Sequence, residues 1–117
     1  MAIWDELDYF TPDEFDYPDE MNEEFLLVLD LVRERAGVPF VITSDYRPGD
    51  PRAHGHGLAV DIADDQGHDG ISSTFRFKVV RAALQMGVRR IGVYDKHVHL
   101  DCWEDGPQEV LWTGFST

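Results

Sequence analysis

The residues able to do chemistry are concentrated in two short stretches, His54-Gly55-His56-Gly57-Leu58-Ala59-Val60-Asp61 and His97-Val98-His99-Leu100-Asp101. Side chains alternate along a strand, so Leu58, Val60 and Ile62 share one face while Ala59 and Asp61 share the other. A carboxylate on an otherwise apolar strand is costly to bury unless it is paired, hydrogen-bonded or bound to a metal. Two histidines precede Asp61 in a glycine-rich turn. On the second stretch His97, His99 and Asp101 share one face, and Val98 and Leu100 the other. Imidazole and carboxylate offered from two strands are the ligand chemistry of a zinc site with an open position for water.

Several elements must position these groups. Thr11-Pro12-Asp13-Glu14 reads as a capping box with proline at the first helical position, opening a short helix that carries Phe15 toward the core and ends at Pro18. A longer helix is expected over 21–36. Phe25, Val28, Leu29 and Val32 make its apolar face, acidic residues fill its first turn, Arg33 and Arg35 its last, and Gly37 follows as its stop. Pro39 opens a strand that runs to Ser44, and the Pro and Gly content of 46–51 predicts a loop. The strand carrying Asp61 comes next, then a polar loop over 63–70 that includes a solvated His68. A helix over 72–86 turns Phe75, Val79, Ala82 and Ala83 inward and stops at Gly87. Strands over 90–94 and 97–102 are joined by Asp95-Lys96, the length of a tight hairpin turn. The tail over 110–115 either adds a strand or covers an edge.

The chain has 117 residues, which suits one domain, spanning 1–117, with one modest core. Hydrophobic residues make up 43%, enough to fold, and the formal net charge of −13 argues against a nucleic-acid backbone or an anionic membrane as partner. Cys102 is the one cysteine, so no internal disulfide is possible. It alternates onto the face of Val98 and Leu100, where it is expected to be packing and not a nucleophile. No apolar run reaches transmembrane length, so no membrane insertion is expected. The first residues lack the basic start and apolar core of a signal peptide, so the chain is expected to be made in the cytoplasm.

His54, Gly57, Ala59 and Asp61 spell His-x-x-Gly-x-Ala-x-Asp, and this resembles the signature of the zinc peptidase family that contains the D-alanyl-D-alanine carboxypeptidases and L-alanyl-D-glutamate endopeptidases of bacterial cell-wall peptides. His97-Val98-His99-Leu100-Asp101 resembles the family's His-x-His-x-Asp element, and Ser44-Asp45-Tyr46-Arg47 its Ser-Gly-Tyr-Arg segment. Phe10-Thr11-Pro12-Asp13-Glu14-Phe15, a helix and then Gly37-Val38-Pro39 are similar to the phage and prophage branch. The resemblance covers roughly residues 10 to 103. It implies an α+β fold of the hedgehog/D-Ala-D-Ala peptidase type: a small single domain whose antiparallel sheet, from strands near 40, 60, 92 and 99, carries a zinc site and is flanked by helices.

Carried onto this chain, the resemblance makes His54, Asp61 and His99 the ligands of a Zn²⁺ cofactor, with water in the fourth position. Arg47 would hold the substrate's carboxylate or polarise the scissile carbonyl. The base that deprotonates the water would be His97, which shares the face of His99, or Asp95, in the turn. The implied activity is hydrolysis of an amide bond in a peptidoglycan peptide, by a monomer that meets the wall after phage lysis or release, or as part of a virion. Two departures stand out: the loop from Arg47 to His54 is shorter than is usual in the family, and Arg52-Ala53-His54 replaces its Ser-x-His lead-in. Neither removes a ligand; both bear on which peptide fits.

Each residue also has a plainer reading. His56 competes with His54 as ligand, Asp61 could cap a strand end, and His99 could be a satisfied core histidine. His97 could be a structural neighbour of the metal, and Arg47 could simply pair with one of the many carboxylates. Tyr46, Trp103 and Trp112 are expected to pack in the core, and the acidic N-terminal run is expected to be solvated surface. Rival functions on the same fold are a zinc-binding recognition module without catalysis and a structural virion or tail component.

Overall fold

A computed structural model describes residues 3–64 and 70–114. His68 and most of the polar loop around it lie outside the described residues. Two helices, α1 (Glu23–Ala36) and α2 (Ser73–Gln85), cover a sheet of five strands: β1 (Val41–Ser44), β2 (Ala59–Ala63), β3 (Arg90–Tyr94), β4 (Val98–Asp101) and β5 (Val110–Gly114). The strand order is β1-β2-β4-β3-β5. The expected α+β architecture is therefore present. Neighbours among the first four strands are antiparallel, while β5 adds to the edge parallel to β3 and makes the sheet mixed. The radius of gyration, 13.2 Å, matches the roughly 13 Å of one compact domain near this length.

The helices start and stop where their caps dictate. The Asn22 side chain accepts a hydrogen bond from the Phe25 amide, so α1 begins at Glu23, leaving Met21 as a buried residue ahead of the helix. Gly37 ends it in the left-handed region, at φ +69°. The Ser72 hydroxyl caps α2 in the same way through the Phe75 amide. Phe25, Leu26, Leu29 and Val32 of α1 and Phe75, Val79, Ala82 and Ala83 of α2 join Val60, Ile62, Ile91, Val98 and Leu100 in one core. Each fully buried side chain of this size is worth about 1.5–3 kcal/mol over exposure. The apolar face of the sheet is thus the helix face, and the polar face is left open.

The N-terminal segment is more firmly attached than its charge suggests. The short helix expected after Thr11 is a single 3-10 turn, Pro12–Glu14, in which the Glu14 carboxylate accepts from the Thr11 amide. Phe15 is buried, as expected. Beyond it, the buried carboxylates of Asp30 and Asp45 each accept two successive backbone amides, Asp8 and Tyr9 for the first, Asp16 and Tyr17 for the second. These bonds take donors that a continuing helix would have used, and Ile3, Leu7 and Phe10 are buried beside them. Most of the acidic side chains face solvent, while the backbone beneath them is tied to the domain.

Candidate metal centre

The sheet register assembles the site. Asp61 of β2 lies directly opposite His99 of β4, His99 opposite Gly92 of β3, and Gly92 opposite Trp112 of β5. At the other end of this row, a register shift between Ile42 and Ser44 brings Ser44 opposite Asp61. Directly opposed residues have Cβ atoms about 4.5–5.5 Å apart, so this pairing alone brings imidazole and carboxylate together. Two residues along, Asp101 faces Ala59 and Arg90. Two residues the other way, His97 accepts the Tyr94 amide at its carbonyl across the hairpin turn of Asp95 and Lys96. The alternation expected for His97, His99 and Asp101 is thus realised on the open face.

His54 reaches the row from a 3-10 turn, Ala53–His56. Gly57 closes this turn at φ +69°, and a Cβ there would meet the Glu20 carbonyl oxygen at 2.2 Å, so no other residue fits. The Asp45 carbonyl can only accept, so His54 Nδ1 donates to it at 2.7 Å. That leaves Nε2 with its lone pair toward Asp61, whose Oδ1 lies 3.6 Å away. His99 Nδ1 lies 2.9 Å from the same oxygen, while its Nε2 is 2.6 Å from the Asp101 carboxylate. Donor atoms of His54, Asp61 and His99 lie within 4.8 Å of one another, so this group can hold a metal ion; among the described residues it is the one such group. The exposed His56 lines a different hollow, beside Leu58 and Trp103.

The chemistry of the donor set fits a divalent cation. Two neutral imidazoles and one carboxylate leave a charge of about +1 with a dication and room for a further ligand. Each histidine is backed by an acceptor that fixes which nitrogen faces inward, as metal-ligating histidines ordinarily are. Asp101 is 1% exposed and is the hub of that support: it accepts from His99, from Arg90 Nε at 2.7 Å and from the Trp103 amide at 3.0 Å. The Arg90 guanidinium lies over both Trp103 and Trp112, at 5.5 and 5.4 Å from ring centroids.

Burial alone would raise the Asp61 pKa, but the imidazoles of His54 and His99 beside it outweigh this and hold the carboxyl well below the usual carboxylate range. Burial would likewise lower His99, and its bonds to Asp101 and Asp61 win, raising it to about 8. A metal entering at His99 must displace the proton that these carboxylates stabilise. Apparent metal affinity should therefore fall by up to about tenfold per pH unit as pH drops below 8, and level off above it. Competition titration against a zinc chromophore from about pH 6.5 to 9 measures this; affinity flat over that range would take His99 out of the ligand set.

Around the group lies an open cavity of about 390 Å³, lined among others by Arg47, Tyr94, His97, Trp103 and Trp112. Arg47 is half exposed; it bonds to the Ser44 hydroxyl at 3.0 Å, pairs with Asp50 at 3.3 Å and lies 3.8 Å from Asp61. His97 Nε2 is 3.9 Å from Asp61 Oδ1, and its ring stacks on Tyr94. Asp95 sits in the turn, its carbonyl accepting from the Ile71 amide and from Arg76, and it is not among the residues lining the cavity.

Two expectations about aromatic residues need correction. Trp103 and Trp112 are half-buried residues of the cavity wall, whereas both were expected in the core. The cause for Trp112 is Gly92: a Cβ there would lie 2.5 Å from the indole nitrogen, so the missing side chain admits the ring to within 5.4 Å of His99. Tyr46 does pack against the core, edge-on to Tyr17. Cys102 is half-buried against the core, its thiol pushed up to about 11 by burial and by the Asp101 and Glu104 charges, as suits packing. Arg90 and Tyr94 had no role in the sequence reading, Trp112 was expected only as packing, and Asp101 entered only as a polar-face neighbour of His99 in the His-x-His-x-Asp element. Only Asp101 carried a signal, its two-residue spacing from His99.

No helix among the described residues is long and apolar enough to cross a membrane. Comparison with protein-family models, with curated proteins and with solved structures finds no match.

Proposed function

We propose that the chain is a zinc-dependent hydrolase of an amide bond in peptidoglycan peptides, of the D-alanyl-D-alanine carboxypeptidase and L-alanyl-D-glutamate endopeptidase family. The observation that supports it most is the His54, Asp61 and His99 group, set in an open cavity with a third histidine, His97, and an arginine, Arg47, beside it. Zinc held there would polarise the amide carbonyl and lower the pKa of a bound water. His97, next to that position, takes the water's proton and returns it to the departing amine. Arg47 offers a planar fork at the cavity edge, suited to a peptide carboxylate. Asp101, fixed by Arg90, keeps His99 turned toward the ion. On this reading the substrate is met after phage lysis or release, or from a virion.

The direct test is a defined stem pentapeptide incubated with zinc-loaded protein. Released D-alanine identifies a carboxypeptidase, and a new D-glutamate amino terminus an endopeptidase. An intact peptide at full zinc loading would favour a recognition or virion component of the same fold.

Arg47 gives a sharper prediction. A lysine cannot reproduce the two parallel bonds of a guanidinium. Arg47→Lys should keep zinc and fold but lose the charge-assisted bond, on the order of 1.5–3 kcal/mol, or about tenfold to a hundredfold in kcat/KM. Wild-type kinetics in Arg47→Lys would leave Arg47 as a surface partner of Asp50.

A further inference from the structure

β5 brings more to the cavity than an edge. Trp112 Nε1 lies 2.7 Å from the Tyr94 hydroxyl oxygen. An indole nitrogen can only donate, so the phenol oxygen is the acceptor and its own proton points away from Trp112. Among the described residues nothing accepts that proton. Tyr94 lines the same cavity as the metal group, with its ring stacked on His97 at 4.5 Å and 22°.

The pair is held in place by two missing side chains. A Cβ at Gly114 would lie 2.1 Å from the Tyr94 ring, and one at Gly92 would meet Trp112 at 2.5 Å. The parallel register sets Tyr94 beside Gly114 and Gly92 beside Trp112, so each ring lies against a glycine of the neighbouring strand. The phenol is thereby preorganised as a donor, with its acceptor side already occupied.

We propose that the Tyr94 hydroxyl donates a hydrogen bond to the carbonyl oxygen of the amide under attack, and that Trp112 positions it. This rests on the amide hydrolysis proposed above. As water adds to the carbonyl carbon, the carbonyl oxygen gains negative charge, and a fixed neutral donor stabilises it more than it stabilises the planar amide. When the tetrahedral carbon collapses, the amine leaves with a proton and the Tyr94 proton stays on the phenol throughout. Tyr94 is the catalytic residue here; Trp112 is a positioning residue, acting through the phenol oxygen.

The test uses zinc-loaded protein and two probes, phosphinate analogues of D-alanyl-D-alanine and of L-alanyl-D-glutamate, whose tetrahedral oxygens imitate the charged carbon centre. Calorimetric titration of wild type and Tyr94→Phe gives the binding constants, and elemental analysis and circular dichroism check zinc content and fold. Loss of one such donor typically costs about 10²–10³ in rate, so Tyr94→Phe should bind the better probe about a hundredfold more weakly at equal zinc content. Its kcat should fall by a similar factor with KM little changed. Trp112→Phe, which frees the phenol to rotate, should weaken phosphinate binding by a smaller factor while leaving KM near the wild-type value. Equal phosphinate affinity in wild type and Tyr94→Phe, or no phosphinate binding by zinc-loaded wild type, overturns the proposal. Tyr94-dependent binding in a protein that cleaves no cell-wall peptide upholds the donor and overturns the hydrolysis instead.

Discussion

Replacing His99 by alanine should leave a folded protein that keeps only a small fraction of the metal, where the wild type, purified without chelator, should carry about one zinc ion per chain. His54→Ala and Asp61→Ala should do the same. The three donors come from three separate elements, a turn and two strands, and each supplies one ligand of the three. His56 cannot substitute, because it is exposed and faces another hollow. Asp101→Asn should give a graded loss, since it touches the ion only through His99: removing such a support typically costs about tenfold to a hundredfold in metal affinity. His68→Ala should retain the metal fully. Elemental analysis reads all five variants, and full zinc retention in His99→Ala would sink the ligand assignment.

Turnover should collapse in His97→Ala while zinc stays bound. A general base contributes about 10²–10⁴ in rate and is not needed to hold the metal. His97 lines the cavity 3.9 Å from Asp61, and its stacking on Tyr94 fixes the ring without using either nitrogen. Asp95→Asn should show a milder loss, because the turn holds Asp95 through its backbone carbonyl and not through a carboxylate aimed at the cavity. Paired measurement of kcat, KM and zinc content separates the two. An inactive Asp95→Asn beside an active His97→Ala would make Asp95 the base and His97 a neighbour that orients the site.

Local pattern made part of this visible in advance. Two-residue alternation in 58–62 and 97–101 identified both strands and the face each presents, because a side chain's face depends only on its own strand. Apolar periodicity and the Gly37 stop marked the helices, while the caps at Asn22 and Ser72, which lie inside the expected helical ranges, set the starts at Glu23 and Ser73. Local pattern alone does not pair Asp61 with His99, since register between β2 and β4 is fixed by contacts 38 residues apart; the resemblance is what grouped them with His54. The place of β5 was open for the same reason. Val110–Gly114 has no local feature that says it will lie parallel to β3, and only that pairing carries Trp112 over Gly92 and Gly114 against Tyr94. Trp112 read alone is an ordinary core residue, and the neighbouring glycine that converts it to a cavity wall sits on another strand. Asp45 shows the converse limit. Its position in Ser44-Asp45-Tyr46-Arg47 drew attention to Arg47, while its own work is structural: its carboxylate ties down Asp16 and Tyr17, and its carbonyl sets the His54 tautomer.

The most direct measurement is mass spectrometry of purified peptidoglycan digested with zinc-loaded protein, with protein stripped by chelator, and with stripped protein given zinc again. Metal-dependent amide hydrolysis predicts new peptide fragments or released D-alanine in the first digest, none in the second, and recovery in the third. His99→Ala supplied with the same zinc should give none. Identical spectra with and without zinc, or fragments that persist in His99→Ala, would contradict the assignment of the His54, Asp61 and His99 group as a catalytic metal centre.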